Sequence, residues 1–284
     1  MKESKHLNEK LESILLLVNP EVSECLQSGE HLEKDLNKSG FKVHTNPDAF
    51  DSIEPDLVII LGGDGYLTEC INKLHYPSTC IFGINFGTVG FLMNPRTCLL
   101  SLSKTISQRR FQVEEYLVLE SRVRFRSGEE TQLLAFNDFV LERMSGQSLR
   151  FKAFINDVVF NHYSGDGVII ATPGGSTAYN LAAGGPVIHP GIGAMLITPL
   201  YPHRATPFHS LQFSLLLPLD RTLIIYGQDV DKRPIRLLAD GRPFEDVQNI
   251  EVRDSGKRIH LLRDESHSFI ETVSRTFIGN DPKS

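Results

Sequence analysis

Four short apolar runs, with helix-like stretches after the first and the third, constrain the fold of the first part of this chain more than any other feature. The runs are Ile14–Val18, Phe41–Thr45, Leu57–Leu61 and Cys80–Ile84. Apolar residues recur at helical spacing in Glu21–Lys38 and again in Tyr66–Leu74. Strands that alternate with helices form open parallel α/β sheets. Because such sheets bind ligands at the carboxyl ends of their strands, residues directly after the strands are the first candidates for function.

The pattern changes after about Phe111, where strand-like segments follow one another between short turns. These segments are Leu117–Phe125, Leu133–Leu141, Lys152–Asn161, Gln212–Leu217 and Arg236–Asp240. Helical stretches nearly vanish up to Asp264, apart from one after Gly175, and Ser266–Phe277 is predicted to be a closing helix. The sequence therefore predicts an α/β domain over residues 1–110 and a β-rich, sandwich-like domain over residues 111–284. The last helix is a candidate to pack back on the first domain.

Composition and charge exclude several classes of protein. With 284 residues, 40% of them hydrophobic and 23% charged, the chain can bury a globular core. A net charge of −6 argues against a nucleic-acid or membrane-surface binder, which normally carries a basic excess. No apolar run approaches the ~18 residues of a membrane span, and the first residues mix lysine with glutamate instead of forming a secretory signal. A cytoplasmic location is expected.

The four cysteines lack the spacing of a zinc site or of a disulfide framework; they are Cys25, Cys70, Cys80 and Cys98. Small buried thiols are the better explanation, since free cysteine is among the most buried residue types. No metal site built from protein side chains alone is predicted.

The first candidate functional segment is Gly62-Gly63-Asp64-Gly65, directly after the strand Leu57–Leu61. Glycines let backbone N–H groups approach a polyanion closely. A carboxylate would repel phosphate, so Asp64 is better explained as the acceptor for a proton from an attacking hydroxyl, or as an aid to holding a metal. An ordinary strand-to-helix turn is the structural alternative.

A second glycine segment, Gly83-x-x-x-Gly87-x-x-Gly90-Phe91, follows the next strand. Its spacing is neither that of the dinucleotide motif G-x-G-x-x-G nor that of the P-loop. The sequence therefore supports neither a Rossmann dehydrogenase nor a P-loop NTPase. Close packing of backbone elements explains these glycines as well as ligand contact does.

The most informative stretch is Ser164–Asn180, in which a buried strand leads into a turn of small residues and an apparent helix start. Ser176 or Thr177 is predicted to cap that start, where free N–H groups suit a nucleotide. Tyr179 is a candidate for an adenine pocket. Asp166 precedes the strand, where a carboxylate can accept from an amide NH₂ group. A plain N-cap beside a half-buried tyrosine is the structural alternative.

Asn137-Asp138 follows another apolar run and forms a smaller candidate site. Neighbouring Asn and Asp side chains can serve vicinal ribose hydroxyls, one accepting and one donating. A turn at the end of a strand is the structural alternative, and without other evidence it is the simpler one.

In this order, these segments resemble the NAD kinase family. Gly62–Gly65 is similar to its Gly-Gly-Asp-Gly signature, Gly83–Leu92 to its second glycine segment, Asn137-Asp138 to its Asn-Glu position, Gly165–Pro190 to its longest motif, and Ile197–Pro199 and Asp240-Gly241 to later segments. The resemblance extends from about Ile14 to the end of the chain and is closest to the compact bacterial type. It implies an α/β N-terminal domain and a β-rich C-terminal domain.

The resemblance also implies a reaction and a set of site residues. The reaction is transfer of a phosphoryl group from ATP, with a divalent cation such as Mg²⁺, to the 2′-hydroxyl on the adenosine ribose of NAD. The residues are Asp64 acting on that hydroxyl, Gly62, Gly63 and Gly65 around it, Phe91 lining the pocket, Asn137 and Asp138 holding the ribose, Thr177, Ala178 and Tyr179 around the adenine, Asp166 at the nicotinamide amide, and Asp240 among the nucleotide-binding positions. Asp138 stands where the family has Glu, so a weaker or water-bridged ribose contact is expected. A homodimer or homotetramer is implied.

Two alternatives to an NAD kinase stay open at this point. Lipid and sugar kinases of the diacylglycerol kinase and phosphofructokinase types share the Gly-Gly-Asp-Gly loop, although Thr172–Pro186 argues against both. A catalytically silent NAD(H)-binding sensor on the same fold belongs to a different class, and the intact Asp64 argues against it.

Overall fold

A computed structural model describes residues 11–204 and 209–279 of the chain. The strands are β1 (Ser13–Val18), β2 (Lys42–His44), β3 (Leu57–Gly62), β4 (Ile81–Asn85), β5 (Phe111–Phe125), β6 (Glu130–Ala135), β7 (Asp138–Arg143), β8 (Leu149–Ile155), β9 (Val158–Gly165), β10 (Gly167–Ala171), β11 (Ala194–Leu200), β12 (Leu215–Pro218), β13 (Leu223–Gly227), β14 (Ile235–Ala239), β15 (Arg242–Phe244) and β16 (Val247–Asp264). The α-helices are α1 (Ser23–Lys38), α2 (Phe50–Ile53), α3 (Asp64–Lys73), α4 (Leu102–Gln108), α5 (Tyr179–Ala182) and α6 (Phe269–Val273). Apart from Glu12, the charged residues on which the signal-peptide expectation rests lie before residue 11, outside the described part.

The chain divides into two compact units. Among the described residues, the first comprises residues 11–115 and 258–279, and the second comprises residues 116–204 and 209–257. Two long strands carry the chain from one unit to the other, because β5 begins in the first unit and ends in the second, and β16 returns. The division at residue 115 falls shortly after the expected boundary at residue 110, and α6 is counted with the first unit.

The first unit contains the parallel α/β sheet that the alternating pattern predicts. Its strand order is β2-β1-β3-β4, and the end of β16 pairs in parallel with β4. Every residue of β3 is buried, as expected for a central strand covered on both faces. Helix α1 buries Cys25, Leu32 and Leu36 at helical spacing in the same core as the strands. The parallel strands β1 and β3 end at Val18 and Gly62, and only Gly63 separates the end of β3 from Asp64.

The second unit is β-rich and antiparallel, which confirms the predicted fold class. One sheet has the order β12-β11-β10-β7-β14-β15, and the first part of β16 pairs with β13, which pairs with β8 and then β9. Alternate residues of strands from both sets, including Phe139, Ile170 and Ile225, share one hydrophobic core, as in a sandwich. All five residues of β10 are buried, so this strand is apolar throughout.

Two strand predictions were wrong, because a turn interrupts each run. Leu133–Leu141 is divided between β6 and β7 at Phe136 and Asn137, whose backbone N–H groups donate to the carboxylate of Asp240. Lys152–Asn161 is divided between β8 and β9 by Asn156 and Asp157, both with positive φ, in a two-residue hairpin turn. Asn and Asp tolerate that conformation better than other non-glycine residues, so the turn is encoded locally.

Helical segments also differ in detail from the expectation. The helix predicted after Gly175 is a 3₁₀ turn over Gly174–Thr177 followed by the single turn α5, and the residue before α5 is Ala178. Neither Ser176 nor Thr177 therefore caps it, because their hydroxyls donate backward to Pro173 O and Gly174 O. The predicted closing helix begins three residues later than expected, at Phe269, with α6 capped by the side chain of Ser268, and it continues as a π-helical turn over Ser274–Ile278.

Within residues 11–204 and 209–279, no helix is long and apolar enough to cross a membrane. Cys25, Cys70 and Cys80 are buried free thiols, and Cys98 is a partly exposed free thiol. Burial raises the pKa of Cys80 to about 11, which makes its thiol unreactive at neutral pH.

Candidate active site

Asp64 is the first residue of α3, at the point where the buried strand β3 ends. Its Oδ2 accepts from the N–H of Phe91 at 2.8 Å, and its Oδ1 accepts from the N–H of Leu92 at 3.2 Å. The carboxylate therefore joins the two glycine segments that sequence singled out separately. Burial raises the pKa of Asp64, while the two N–H bonds and the charge of Arg263 oppose that rise.

The second glycine segment is folded tightly on itself. Asn85 Oδ1 accepts from the N–H of Gly87 at 2.9 Å, and a Cβ at Gly90 would lie 2.5 Å from Asn85 Nδ2. A side chain at position 90 would therefore displace Asn85. The packing explanation for these glycines holds at this position.

Phe91 is buried and stacks on Phe277, with ring centroids 5.0 Å apart. Its carbonyl oxygen accepts from Arg263 Nη2 at 2.9 Å, and Arg263 in turn pairs with Glu114, with 2.8 Å between Nε and Oε2. The backbone of Phe91 is thus held from both sides, by Asp64 at its N–H and by Arg263 at its C=O.

Asp240 lies just after β14, and its carboxylate closes the turn that contains Asn137 and Asp138. Oδ1 accepts from the N–H groups of Asn137 (2.7 Å) and Asp138 (3.3 Å), and Oδ2 accepts from that of Phe136 (2.8 Å). The backbone N–H of Asp240 donates back to Asp138 O at 3.0 Å. Asp240 therefore fixes the conformation of the turn, and its effect on a ligand would pass through that turn.

Asp138 is buried, with 6% of its surface exposed. Burial, and secondarily the negative charge of Asp240, raises the pKa of Asp138 to about 7. A carboxyl group in this state spends part of its time protonated near neutral pH, when it can donate as well as accept a hydrogen bond.

The turn after β10 packs directly on the Asn137 turn. Thr172 Oγ1 donates to Phe136 O at 2.7 Å, and the Thr172 N–H donates to Asn137 O at 2.9 Å. A Cβ at Gly175 would lie 2.1 Å from Asn137 O, so only glycine permits this approach. The structure thereby brings together two candidate segments that are 35 residues or more apart in sequence.

The small-residue stretch separates into buried and exposed side chains. Ser176 and Asn180 are fully buried, and their side chains hold the loop to Pro173, Ile188 and Pro186. Thr177 is partly exposed and Ala178 is exposed, while Tyr179 leaves 43% of its surface exposed. The three side chains expected around the adenine are therefore accessible, whereas their neighbours are structural.

Asp166 lies at the opposite end of β10 from these turns. Its carboxylate makes a two-pronged pair with Arg143, 2.7 Å between Oδ1 and Nε and 3.4 Å between Oδ2 and Nη2. The carboxylate remains 36% exposed. Each oxygen keeps a second lone pair, so an amide NH₂ can still be accepted.

Three residues that sequence reasoning does not identify contact the candidate residues or one another: Arg143 pairs with Asp166, Arg263 holds the backbone of Phe91, and Glu114 pairs with Arg263. Arg263 follows two leucines, Leu261 and Leu262, at the end of a strand. A charged residue directly after a buried apolar pair is a weak signal for a buried ion pair. Its partners lie far away in sequence, so the signal does not name them.

Within residues 11–204 and 209–279, no cluster of three or more His, Cys, Asp or Glu side chains is arranged to hold a metal ion. A magnesium ion ordinarily needs only one or two protein carboxylates when substrate phosphates complete its coordination.

Comparison with known proteins identifies the family. A family model described as the ATP-NAD kinase C-terminal domain matches residues 136–249. A protein named NAD kinase from Zymomonas mobilis is 31% identical over 229 residues, 78% of this chain and 85% of that protein. One of the same name from Sulfurimonas denitrificans is 29% identical over 283 residues, 94% of this chain and 96% of that protein. The chain belongs to the NAD kinase family.

Solved structures show the same fold at lower identity. Yeast NADH kinase in complex with NADH superposes with a TM-score of 0.82 at 22% identity, covering 97% of this chain and 89% of that one. An NAD kinase from Archaeoglobus fulgidus in complex with ATP gives 0.69 at 21% identity, covering 89% of this chain and 94% of that one.

Proposed function

We propose that this protein phosphorylates NAD with ATP at the 2′-hydroxyl of the adenosine ribose, giving NADP. One observation carries the proposal. The family match over residues 136–249 contains every candidate residue of the second unit, and the relatives to which the whole chain is similar are named NAD kinase. Those residues are Asn137, Asp138, Asp166, Thr177, Ala178, Tyr179 and Asp240.

In this proposal the second unit recognises the dinucleotide. Tyr179 offers an exposed ring for a base, and the turn of Asn137 and Asp138 offers amide and carboxyl groups for the ribose. Asp138, on β7, is the cross-strand partner of Ala171 at one end of β10, and Asp166 directly precedes the other end of β10. Five strand residues span about 16 Å. A ligand that engages both positions must be long, which supports a dinucleotide over a mononucleotide.

Asp64 is the proposed catalytic residue, in the first unit. The ribose hydroxyl oxygen attacks the γ-phosphorus of ATP, the bond from that phosphorus to the bridging oxygen breaks, and ADP leaves. The hydroxyl proton passes to the Asp64 carboxylate. Burial raises the pKa of this carboxyl group, which makes it a better base near neutral pH. Its two N–H bonds hold the acceptor oxygens in place.

A divalent cation is proposed to enter with the phosphates of ATP. Oxygen ligands from phosphate, together with one or two carboxylates, are sufficient for Mg²⁺. When bound, the ion spreads the negative charge of the transferring phosphoryl group.

The decisive assay is NADP formation from NAD, ATP and Mg²⁺, read by a dehydrogenase specific for NADP. The Asp64→Asn variant is expected to lose about 10²-fold or more in kcat, because a positioned base contributes roughly that factor. Asp51→Asn, an exposed helix carboxylate of the same unit, is the matched control and should keep wild-type turnover.

The outcomes of this assay distinguish the proposed NAD kinase from the alternative explanations. Wild-type turnover in folded Asp64→Asn would remove Asp64 from the chemistry while leaving the kinase assignment intact. NAD binding without NADP formation by the wild type would identify a sensor. Phosphorylation of a sugar or diacylglycerol in place of NAD would identify one of the rival kinases.

A further inference from the structure

The peptide unit between Phe91 and Leu92 connects a buried arginine to Asp64. Its carbonyl oxygen, that of Phe91, accepts from Arg263 Nη2 at 2.9 Å. Its N–H, that of Leu92, donates to Asp64 Oδ1 at 3.2 Å. The cation and the carboxylate therefore bind the two ends of the same peptide group.

This arrangement polarises the peptide in one direction. A guanidinium at the carbonyl oxygen draws electron density toward that oxygen, which makes the N–H a stronger donor to the carboxylate. The N–H of Phe91 adds a second bond, to Asp64 Oδ2 at 2.8 Å. Both carboxylate oxygens are held by backbone that Arg263 fixes from its other side.

The position of Arg263 is energetically unfavourable for an unpaired arginine. It is 1% exposed, and burial of a guanidinium is costly unless it is paired. Glu114 pairs with it through Nε, and His267 lies 3.9 Å from the other oxygen of Glu114. Burial, and then the charges of Arg263 and Arg275, lower the pKa of His267, so the neutral imidazole is favoured beside Arg263.

We propose that Arg263 is a positioning residue for Asp64, acting through the Phe91–Leu92 peptide to hold the carboxylate in the orientation that accepts the substrate proton. This role rests on the proposed kinase function of Asp64. The competing explanation is that Arg263 only ties β16 to β5 through Glu114. That structural role would affect stability without a selective effect on turnover.

The chain offers a matched control for this competing explanation. Arg253 lies ten residues earlier on β16 and pairs through its Nε with Glu120 of β5. It therefore joins the same two strands through the same pair of groups, although the Arg253 side chain is 50% exposed and that of Arg263 is 1% exposed. Arg253→Met reports what loss of an arginine–glutamate link between these strands does to the enzyme.

The test compares Arg263→Met with Arg253→Met and with the double variant Arg263→Met/Glu114→Gln. The double variant also removes the charge of Glu114, whose side chain is 26% exposed, so no carboxylate is left without its cation; it is the variant to measure if the single variant does not fold. Thermal unfolding is measured first, and kcat and KM are measured below the melting range of each variant.

We expect both Arg263 variants to lose about 10- to 100-fold in kcat, because small misplacements of a reacting group cost that much, with KM for NAD within about threefold. Removing the positive charge also moves the acid limb of the kcat profile to higher pH. Arg263 is the charged group that acts on Asp64, and Arg263 is itself paired with Glu114 of β5, with His267 beyond β16 near the other oxygen of Glu114. Arg253→Met should leave kcat and its pH profile unchanged.

A second readout does not depend on turnover. A ¹³C titration of the aspartate carboxyl groups, with the Asp64 signal assigned by its loss in Asp64→Asn, gives the pKa of Asp64 directly. We expect that pKa to rise in Arg263→Met. Wild-type kcat and an unchanged Asp64 pKa in a folded Arg263 variant would overturn the proposal. Absence of NADP formation by the wild type would instead overturn the proposed function, and the titration would still test the link.

Discussion

The buried carboxyl group of Asp138 makes the stability of this protein depend on pH in a direction that can be tested. Burial, and then the charge of Asp240, raises the pKa of Asp138 from 3.8 to about 7 in the folded state. The neutral form is therefore favoured by folding. Its contribution is fully present below the unfolded pKa and is lost as the pH rises toward the folded pKa. Asp138→Asn replaces this group with a neutral one of the same shape and removes the titration.

The size of the effect follows from the two pKa values. The span between 3.8 and about 7 corresponds to about 4 kcal/mol of lost stability at high pH, on the order of 1.4 kcal/mol per pH unit. Between pH 5 and pH 8, the stability that the wild type loses through this titration amounts to about 2.5 kcal/mol. We expect the unfolding free energy of Asp138→Asn, relative to wild type, to increase by about this amount across that range.

Urea unfolding followed by far-UV circular dichroism at pH 5, 6, 7 and 8 measures the difference. Asp157→Asn is the control, since Asp157 is exposed in the turn between β8 and β9 and its positive φ also suits Asn. It removes the same charge without burial, and its stability should follow that of the wild type. If Asp138→Asn also runs parallel to wild type from pH 5 to pH 8, Asp138 is ionised at little cost and the argument from burial fails.

Two further predictions concern substrate recognition. Asp166→Ala should weaken NAD binding by roughly 1–3 kcal/mol in titration calorimetry; unchanged affinity would confine this carboxylate to its pair with Arg143. NAD lacking the 2′-hydroxyl should bind about 1 kcal/mol more weakly, since the 3′-hydroxyl remains for Asn137 and Asp138, yet give no phosphorylated product by mass spectrometry. A phosphorylated deoxy product would place the acceptor elsewhere and remove the ribose-holding role from both residues.

Local sequence signals predicted the elements whose causes are local. The four apolar runs became β1 to β4 to within two residues at each end, because strand length and apolar content decide such segments. The turn at Asn156-Asp157 was missed even though its signal is local. Because the flanking residues are strand-like, the pattern predicts one long strand that runs through the two turn residues.

The contacts that hold the candidate residues could not be predicted in the same way. Asp240 reaches Asn137 across 103 positions of sequence, and Arg263 reaches Phe91 across 172. No periodicity or turn chemistry encodes a pairing at such a distance, which only the completed fold creates. The sequence therefore indicates Asp240 as a candidate site residue, but it does not show that the Asp240 carboxylate accepts from the backbone N–H groups of the Asn137 turn.

The candidate carboxylates differ in what binds their oxygens, and this difference separates their roles. The carboxylate oxygens of Asp240 accept from three backbone N–H groups, and the carboxylate of Asp166 pairs with Arg143. Donors of the protein therefore hold both carboxylates. Asp138 is instead buried beside another carboxylate, which favours its neutral, donating form. Asp64 combines the two conditions, because N–H bonds fix its oxygens while burial raises its pKa. A base for a ribose hydroxyl needs both a fixed direction and enough basicity near neutral pH, and among these carboxylates Asp64 combines them, which supports its proposed role as the base.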